Sequence, residues 1–284
     1  MKLAESPALL FDVAAREWIG QRKEQQDSFC YVTPAPDNVV ALVADGMGGT
    51  QGGKDASQIL ARALFGRVHT SRIDVANGSA EKILLESLTA GQQEVAQYAQ
   101  HHNLQGMGTT FAALAIANNH LAWVSVGDSL ILRWRNRTLT RLNADHSYGP
   151  ILAELVRRGA MSEAEALQDP KRTALRSVVG VLPPRLVEAV TRPHEVEPDD
   201  CYVLASDGLL SLTLEEVNEI VSLHRGKAAS RTTEALLQAI QHKQDPRQDN
   251  TTLIVINATI ARPGFTARLS RLLGLRTAHA RHYD

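Results

Sequence analysis

"TTFAALAIANNHLAWVSVGDSLILRWRNRTLTRL", residues 109–142, decides the architecture. Its four strand-like runs, "TTFAALAIA", "HLAWVSVG", "SLILRWR" and "TLTRL", follow one another with only a few residues between them. A parallel neighbour needs a crossover of about a dozen residues or more, so links this short allow antiparallel neighbours alone. Upstream, "SFCYVT" (28–33) and "VVALVA" (39–44) flank the turn chemistry of "PAPDN" and predict a hairpin. Ala56, Ile59, Leu60, Ala63 and Leu64 then recur at helical spacing, and residues 80–101 carry a second long helical pattern. Downstream, residues 149–168 read as short helices with few large apolar groups, an excursion over the surface. Strand character returns at "RLVEAVTR" (185–192) and "CYVLAS" (201–206), a helix is predicted over 228–242, and "NTTLIVINA" (250–258) is a last strand. Long helices, an antiparallel meander and no regular strand–helix alternation predict an α+β fold of sheet layers packed on helices.

The bulk numbers narrow the partners. A chain of 284 residues, 44% hydrophobic, can bury a full core, and one domain is the simpler expectation. A net charge of −1 gives neither the basic surface that nucleic acid selects nor an acidic tail. Cys30 and Cys201 both lie inside strand-like runs, which predicts buried free thiols and a reducing compartment. The opening "MKLAESPALLFDV" lacks a basic segment followed by a sustained apolar one, and no run reaches the roughly 18 apolar residues of a transmembrane segment. The expected location is cytoplasmic.

"VADGMGGTQGG" (43–53) places five glycines around Asp45 just after an apolar run. A dinucleotide site needs its glycines directly after the strand, facing the pyrophosphate, but here a carboxylate comes first and would repel it. A P-loop fails because no lysine followed by Ser or Thr closes the stretch. The pattern is echoed by "CYVLASDG" (201–208), so Asp45 and Asp207 each end an apolar strand and precede a glycine. Asp128 ends "WVSVGD", and Asp249 stands before the strand "TTLIVI". Strand ends of a packed sheet share a rim, and carboxylates gathered there repel one another unless hard cations such as Mg²⁺ or Mn²⁺ intervene. Gly46, without a Cβ, lets its carbonyl approach such a cation.

The stretches "RKEQQDSF" (22–29), "VADGMGGTQGG", "GMGTTFAALAI" (106–116), "VSVGDS", "LTRLNADHS", "YVLASDGL" and "QDNTTLIVI" together resemble the metal-dependent serine/threonine protein phosphatases of the PPM or PP2C type, in their bacterial form. The resemblance covers roughly residues 10–258. It implies a four-layer αββα sandwich of two antiparallel sheets flanked by helices. Residues 1–258 would be the phosphatase domain, with a flap at about 146–180, and residues 259–284 a tail. Position by position it implies Asp45 as the carboxylate bridging two metals, Gly46 as a carbonyl ligand, and Asp207 and Asp249 as the remaining ligands of the first metal. Asp128 would act with Asp207 on a weaker third. Arg22 takes the place of the substrate-phosphate arginine, Asp27 that of a carboxylate supporting the metals' waters, and Gln26 stands beside it. The implied cofactor is Mn²⁺ or Mg²⁺, two per site. The implied reaction is hydrolysis of phosphoserine and phosphothreonine in proteins by a water bridging the two cations, opposing a Ser/Thr kinase.

Met47 replaces the histidine that many eukaryotic relatives carry after the Asp-Gly pair, and Gln25 and Gln26 stand where relatives often have Asn and Glu or Gln. His146, in "ADHS", has no placed partner and is read as structural. A catalytically silent phosphoprotein-binding scaffold and a small-metabolite phosphatase stay open as alternatives. In the tail, Phe265, Leu269, Leu272 and Leu273 share one helical face, with Arg268 and Arg271 away from it. Such a basic amphipathic helix docks on its own domain, a partner or an anionic surface.

Overall fold

The computed structural model describes residues 8–47, 52–70, 79–190, 194–260 and 277–279. In chain order these form β1 (Leu9–Trp18), β2 (Asp27–Ala35), β3 (Asn38–Met47), α1 (Gly53–Thr70), α2 (Ser79–His102), β4 (Gly108–Thr109), β5 (Phe111–Ala117), β6 (His120–Val126), β7 (Leu130–Arg135) and β8 (Thr138–Arg141). They continue as α3 (Gly149–Arg157), α4 (Glu163–Gln168), β9 (Val179–Gly180), β10 (Glu188–Ala189), β11 (His194–Glu195) and β12 (Cys201–Ala205). A 3₁₀ turn at Asp207–Ser211 leads to α5 (Leu214–Leu223), α6 (Ala229–Lys243), β13 (Thr251–Ile260) and β14 (Thr277–His279). The tail helix expected over 265–276 lies outside the described residues, as do Gly48 and Gly49 of the glycine loop.

Two antiparallel sheets result. One runs β1-β13-β12-β7-β8, and the other runs β10-β6-β5-β3-β2-β14. The central strands are apolar on both faces because both faces are covered. In β3, Val40, Leu42 and Ala44 pack toward α1 and α2, while Val39, Ala41 and Val43 meet the sheet that contains β12 and β13. In β12, Tyr202 and Leu204 face the sheet that contains β3 and β5, and Cys201, Val203 and Ala205 pack under α5 and α6. Three apolar layers therefore alternate with the four structural layers, as expected of an αββα sandwich. Each fully buried aliphatic side chain of these layers contributes about 1.5–3 kcal/mol. Cys30 and Cys201 are buried free thiols, and burial pushes both up to about 12.

The meander departs from the sequence expectation at one link. β5 pairs with β6, and β7 pairs with β8, both antiparallel. β6 and β7 do not pair: they belong to different sheets, and Gly127-Asp128-Ser129 carries the chain across the sandwich. Gly127 makes the turn possible with φ of +98°, where a Cβ would stand 2.6 Å from Thr110 Cγ2. A short link thus means contact, and contact across a sandwich satisfies it as well as a shared ladder does. Within the strand expected at 185–192, Glu188–Ala189 form β10, which pairs with β6. β1 and α5 were not anticipated. The short helices α3 and α4 do form, and between them only Leu152 is buried.

Candidate metal and phosphate site

A cleft of about 690 Å³ opens at one rim of the sandwich, and Asp45, Asp128, Asp207 and Asp249 all line it, with Arg22, Gln26 and Gly46. Strand geometry explains the gathering. The β2–β3 register sets Asp27 opposite Asp45, and Asp45 lies within β3 rather than at its end, because Gly46 and Met47 go on to pair with β4. Asp128 rides on the link between sheets. Asp207 opens the 3₁₀ turn after β12, and Asp249 precedes β13, the neighbour of β12. Asp27 lies beneath the cleft, 5% exposed, and accepts a hydrogen bond from Ser206 Oγ at 2.7 Å. Its Oδ1 has no partner in hydrogen-bond geometry among the described residues.

Asp45 and Asp128 are tethered through their backbones. Asp45 exchanges two bonds with Thr110: its N–H donates to Oγ1 and its carbonyl accepts from the Thr110 N–H, both at 2.9 Å. Thr110 Oγ1 in turn lies 2.7 Å from Ser129 Oγ, joining the Asp45 strand to the Asp128 link. Arg141 Nη2 donates to the Asp128 carbonyl at 2.7 Å, and Asn143 Nδ2 donates to that of Ser129 at 2.8 Å. Gly46 is a cradle: a Cβ there would fall 2.2 Å from Gly53 O and 2.4 Å from Gln26 O.

The electrostatics follow from this packing. Burial raises Asp45 well above the usual carboxylate range, and the charges of Asp27, Asp207, Asp128 and Asp249 add to it. Burial pushes Asp27 up to about 7, opposed by its hydrogen bond from Ser206 and by the nearby Thr252 hydroxyl. Asp128 also rises to about 7 through burial and the nearby Asp207, and Asp207 to about 6 through burial and Asp249. The Asp45 side chain, close beside Asp207, works in the opposite sense and lowers Asp207, as does the Arg22 charge. Asp249 Oδ2 pairs with Arg22 Nη2 at 2.5 Å, across a partly exposed surface where such a pair is worth at most about 1 kcal/mol. Among the described residues no three carboxylate, imidazole or thiol groups stand as a ready cage. The one cation paired with these acids among the described residues is the Arg22 guanidinium on Asp249, a positive group that a divalent cation would displace. An all-oxygen donor set, an unpartnered buried carboxylate oxygen and a Cβ-free carbonyl position fit a hard cation.

Of the site residues named from the sequence, Asp45, Gly46, Asp128, Asp207, Asp249, Arg22 and Gln26 line this cleft, and Asp27 lies beneath it. Sequence reading passed over Asn250, which is 5% exposed. Its Nδ2 donates to the carbonyls of Ile19 (2.8 Å) and Glu24 (3.0 Å), and its Oδ1 accepts from the Gln26 N–H (2.8 Å). It thereby fixes the arm that carries Arg22. The available signal was an amide directly after a suspected ligand in "QDNTT". Thr110 was passed over too. His146 is a buried brace: its Nδ1 accepts from the Gly127 N–H at 3.2 Å, and burial lowers its pKa.

Comparison with known proteins agrees with this geometry. The family description "Protein phosphatase 2C" matches residues 16–244. The serine/threonine phosphatase stp of Listeria monocytogenes is 31% identical over 188 residues, 66% of this chain and 73% of that protein. The Streptococcus agalactiae serine/threonine phosphatase superposes with a TM-score of 0.74 at 25% identity, covering 88% of this chain and all of the other. The catalytic domain of the serine/threonine protein phosphatase PstP, solved with two manganese ions, gives a TM-score of 0.71 at 26% identity over 88% of this chain and 99% of its own.

Proposed function

The chain belongs to the protein phosphatase 2C family, and from that premise we propose that it hydrolyses phosphoserine and phosphothreonine in proteins with Mn²⁺ or Mg²⁺ held at the acidic cleft. The observation that carries this reading is the convergence of Asp45, Asp128, Asp207 and Asp249 on one cleft beside Arg22. Asp45, the Gly46 carbonyl, Asp207 and Asp249 would hold two cations, and Asp128 with Asp207 a weaker third. When bound, such ions supply the Lewis acidity that acidifies water and neutralises phosphoryl charge.

The chain's own groups do the rest. Arg22, released from Asp249, offers a planar pair of donors to the phosphoryl oxygens, which a lysine would match less well. Asp27, buried opposite Asp45, and Gln26 orient water at the floor of the cleft. Met47 lines the same cleft and carries no titratable proton, so it cannot serve as general acid to the departing oxygen. Residues 1–258 form the phosphatase domain in this reading, with 146–180 as a flap: Thr173 and Leu175 of that segment line the cleft wall. Residues 259–284 form a tail. No helix among the described residues is long and apolar enough to cross a membrane. A cytoplasmic location, substrates marked by a Ser/Thr kinase, and a partner for the tail complete the proposal.

Turnover of a phosphothreonine peptide, with and without each cation, tests it. Activity should need added Mn²⁺ or Mg²⁺ and vanish in excess chelator. Undiminished hydrolysis in chelator would contradict it.

A further inference from the structure

We propose that Gln248 is a positioning residue whose side-chain amide aims Asp207 at the metal site. The proposal rests on the metal-dependent reading above and deepens it. Gln248 precedes Asp249 and is 2% exposed. From three residues before β13, its side chain reaches the 3₁₀ turn that Asp207 opens: Oε1 accepts from Ser211 Oγ at 2.5 Å, and Nε2 donates to the Gly208 carbonyl at 3.0 Å. Nε2 also lies 3.1 Å from Thr251 Oγ1 and 3.2 Å from the Asp249 carbonyl. The Gly208 carbonyl can only accept, so the amide nitrogen must face it, and a flip would set Oε1 against that carbonyl and release the Gly208 end of the turn. Gly208 packs so close to the start of β13 that a Cβ would stand 2.1 Å from Asn250 O and 2.4 Å from Thr251 Oγ1, so the turn and the Gln248–Thr251 segment are in direct contact.

The backbone of Gln248 makes a separate connection. Its carbonyl accepts from the Gln21 N–H at 2.9 Å, holding the residue just before Arg22. One residue thus reaches both sides of the cleft, the Asp207 side by its side chain and the Arg22 side by its main chain. A side-chain substitution should therefore disturb cation binding and spare phosphate binding. That separation is what a merely structural glutamine would not show.

The test uses the full chain and the volume-conserving Gln248→Met, with Mn²⁺ alone as the probe in calorimetry and an aryl phosphate for kinetics. The expected result is Mn²⁺ binding weakened by about tenfold, the equivalent of roughly 1.4 kcal/mol. KM for the aryl phosphate at saturating Mn²⁺ should stay unchanged. Ser211→Ala, which frees only the Oε1 end, should shift Mn²⁺ binding in the same direction by a smaller factor, and it carries the test if Gln248→Met does not fold. A folded Gln248→Met that melts lower yet binds Mn²⁺ like the parent overturns the proposal, and so does an equal rise in KM. A parent protein that neither binds Mn²⁺ nor turns over phosphate overturns the metal-dependent reading itself, and is distinguished by needing no variant.

Discussion

β12 carries a buried or nearly buried acid beyond each end, and the two live in opposite surroundings. Asp200, just before the strand and 1% exposed, is met on every side. Arg135 grips it with Nε at 2.7 Å and Nη2 at 2.6 Å, and the Tyr202 hydroxyl and the Glu197 N–H each donate at 2.9 Å. Asp207, two residues past the other end, faces Asp249, Asp128 and Asp45, and the Arg22 guanidinium nearby is already engaged by Asp249. Burial alone therefore does not make a carboxylate functional. Asp200 is spent on holding the turn at 197–200 against β7, whereas Asp207 is left short of positive charge, and that deficit is available to a cation.

The comparison can be broken most severely at Asp207. Asp207→Asn should lower kcat by about 10²–10³-fold, the scale of losing one preorganised electrostatic group, while the far-ultraviolet circular dichroism stays that of the parent. If turnover survived, the contrast between the two ends of β12 would be empty. Next in size, Asp200→Asn should do the converse: a loss of about 3 kcal/mol in urea denaturation, the low end for an uncompensated buried partner because Arg135 retains some exposure, with turnover per folded molecule unchanged. The smallest effect is in pH. Asp27 and Asp128 at about 7 and Asp207 at about 6 stand above the 3.8 of an ordinary aspartate, so the folded metal-free chain binds more protons than the unfolded one between those limits. Stability in chelator should accordingly be greatest near pH 4 and decline as pH rises toward 7. Melting at stepped pH should show a shallower decline in Asp128→Asn, and an identical slope would mean that this acid does not feel its neighbours.

Much of this was legible because the chemistry lies where strands end. "VVALVADG" and "CYVLASDG" announce both a doubly covered strand and the acid beyond it, and the short meander announces antiparallel order. What was hidden depends on distance. Arg22 meets Asp249 and Gln248 meets Gly208 only after the chain has folded, and no periodicity encodes such pairs. β1 was missed because "LLFDVAAREW" serves two masters: Phe11, Val13 and Ala15 face the inter-sheet layer while Ala14 and Trp18 pack against α6's layer, which blurs the alternation. α5 was missed despite a readable signal, the capping box in which Thr213 and Glu216 each bond the other's backbone N–H.

The link Gly127-Asp128-Ser129 has a mechanical consequence. Three residues leave no slack, so the two sheets cannot shear past each other without dragging Asp128 along. The stacking of the sandwich and the aim of that carboxylate are one coordinate. Repacking the layer between the sheets, at Leu114 or Ile254 for example, would be transmitted to the mouth of the cleft by a suture rather than diluted along a loop.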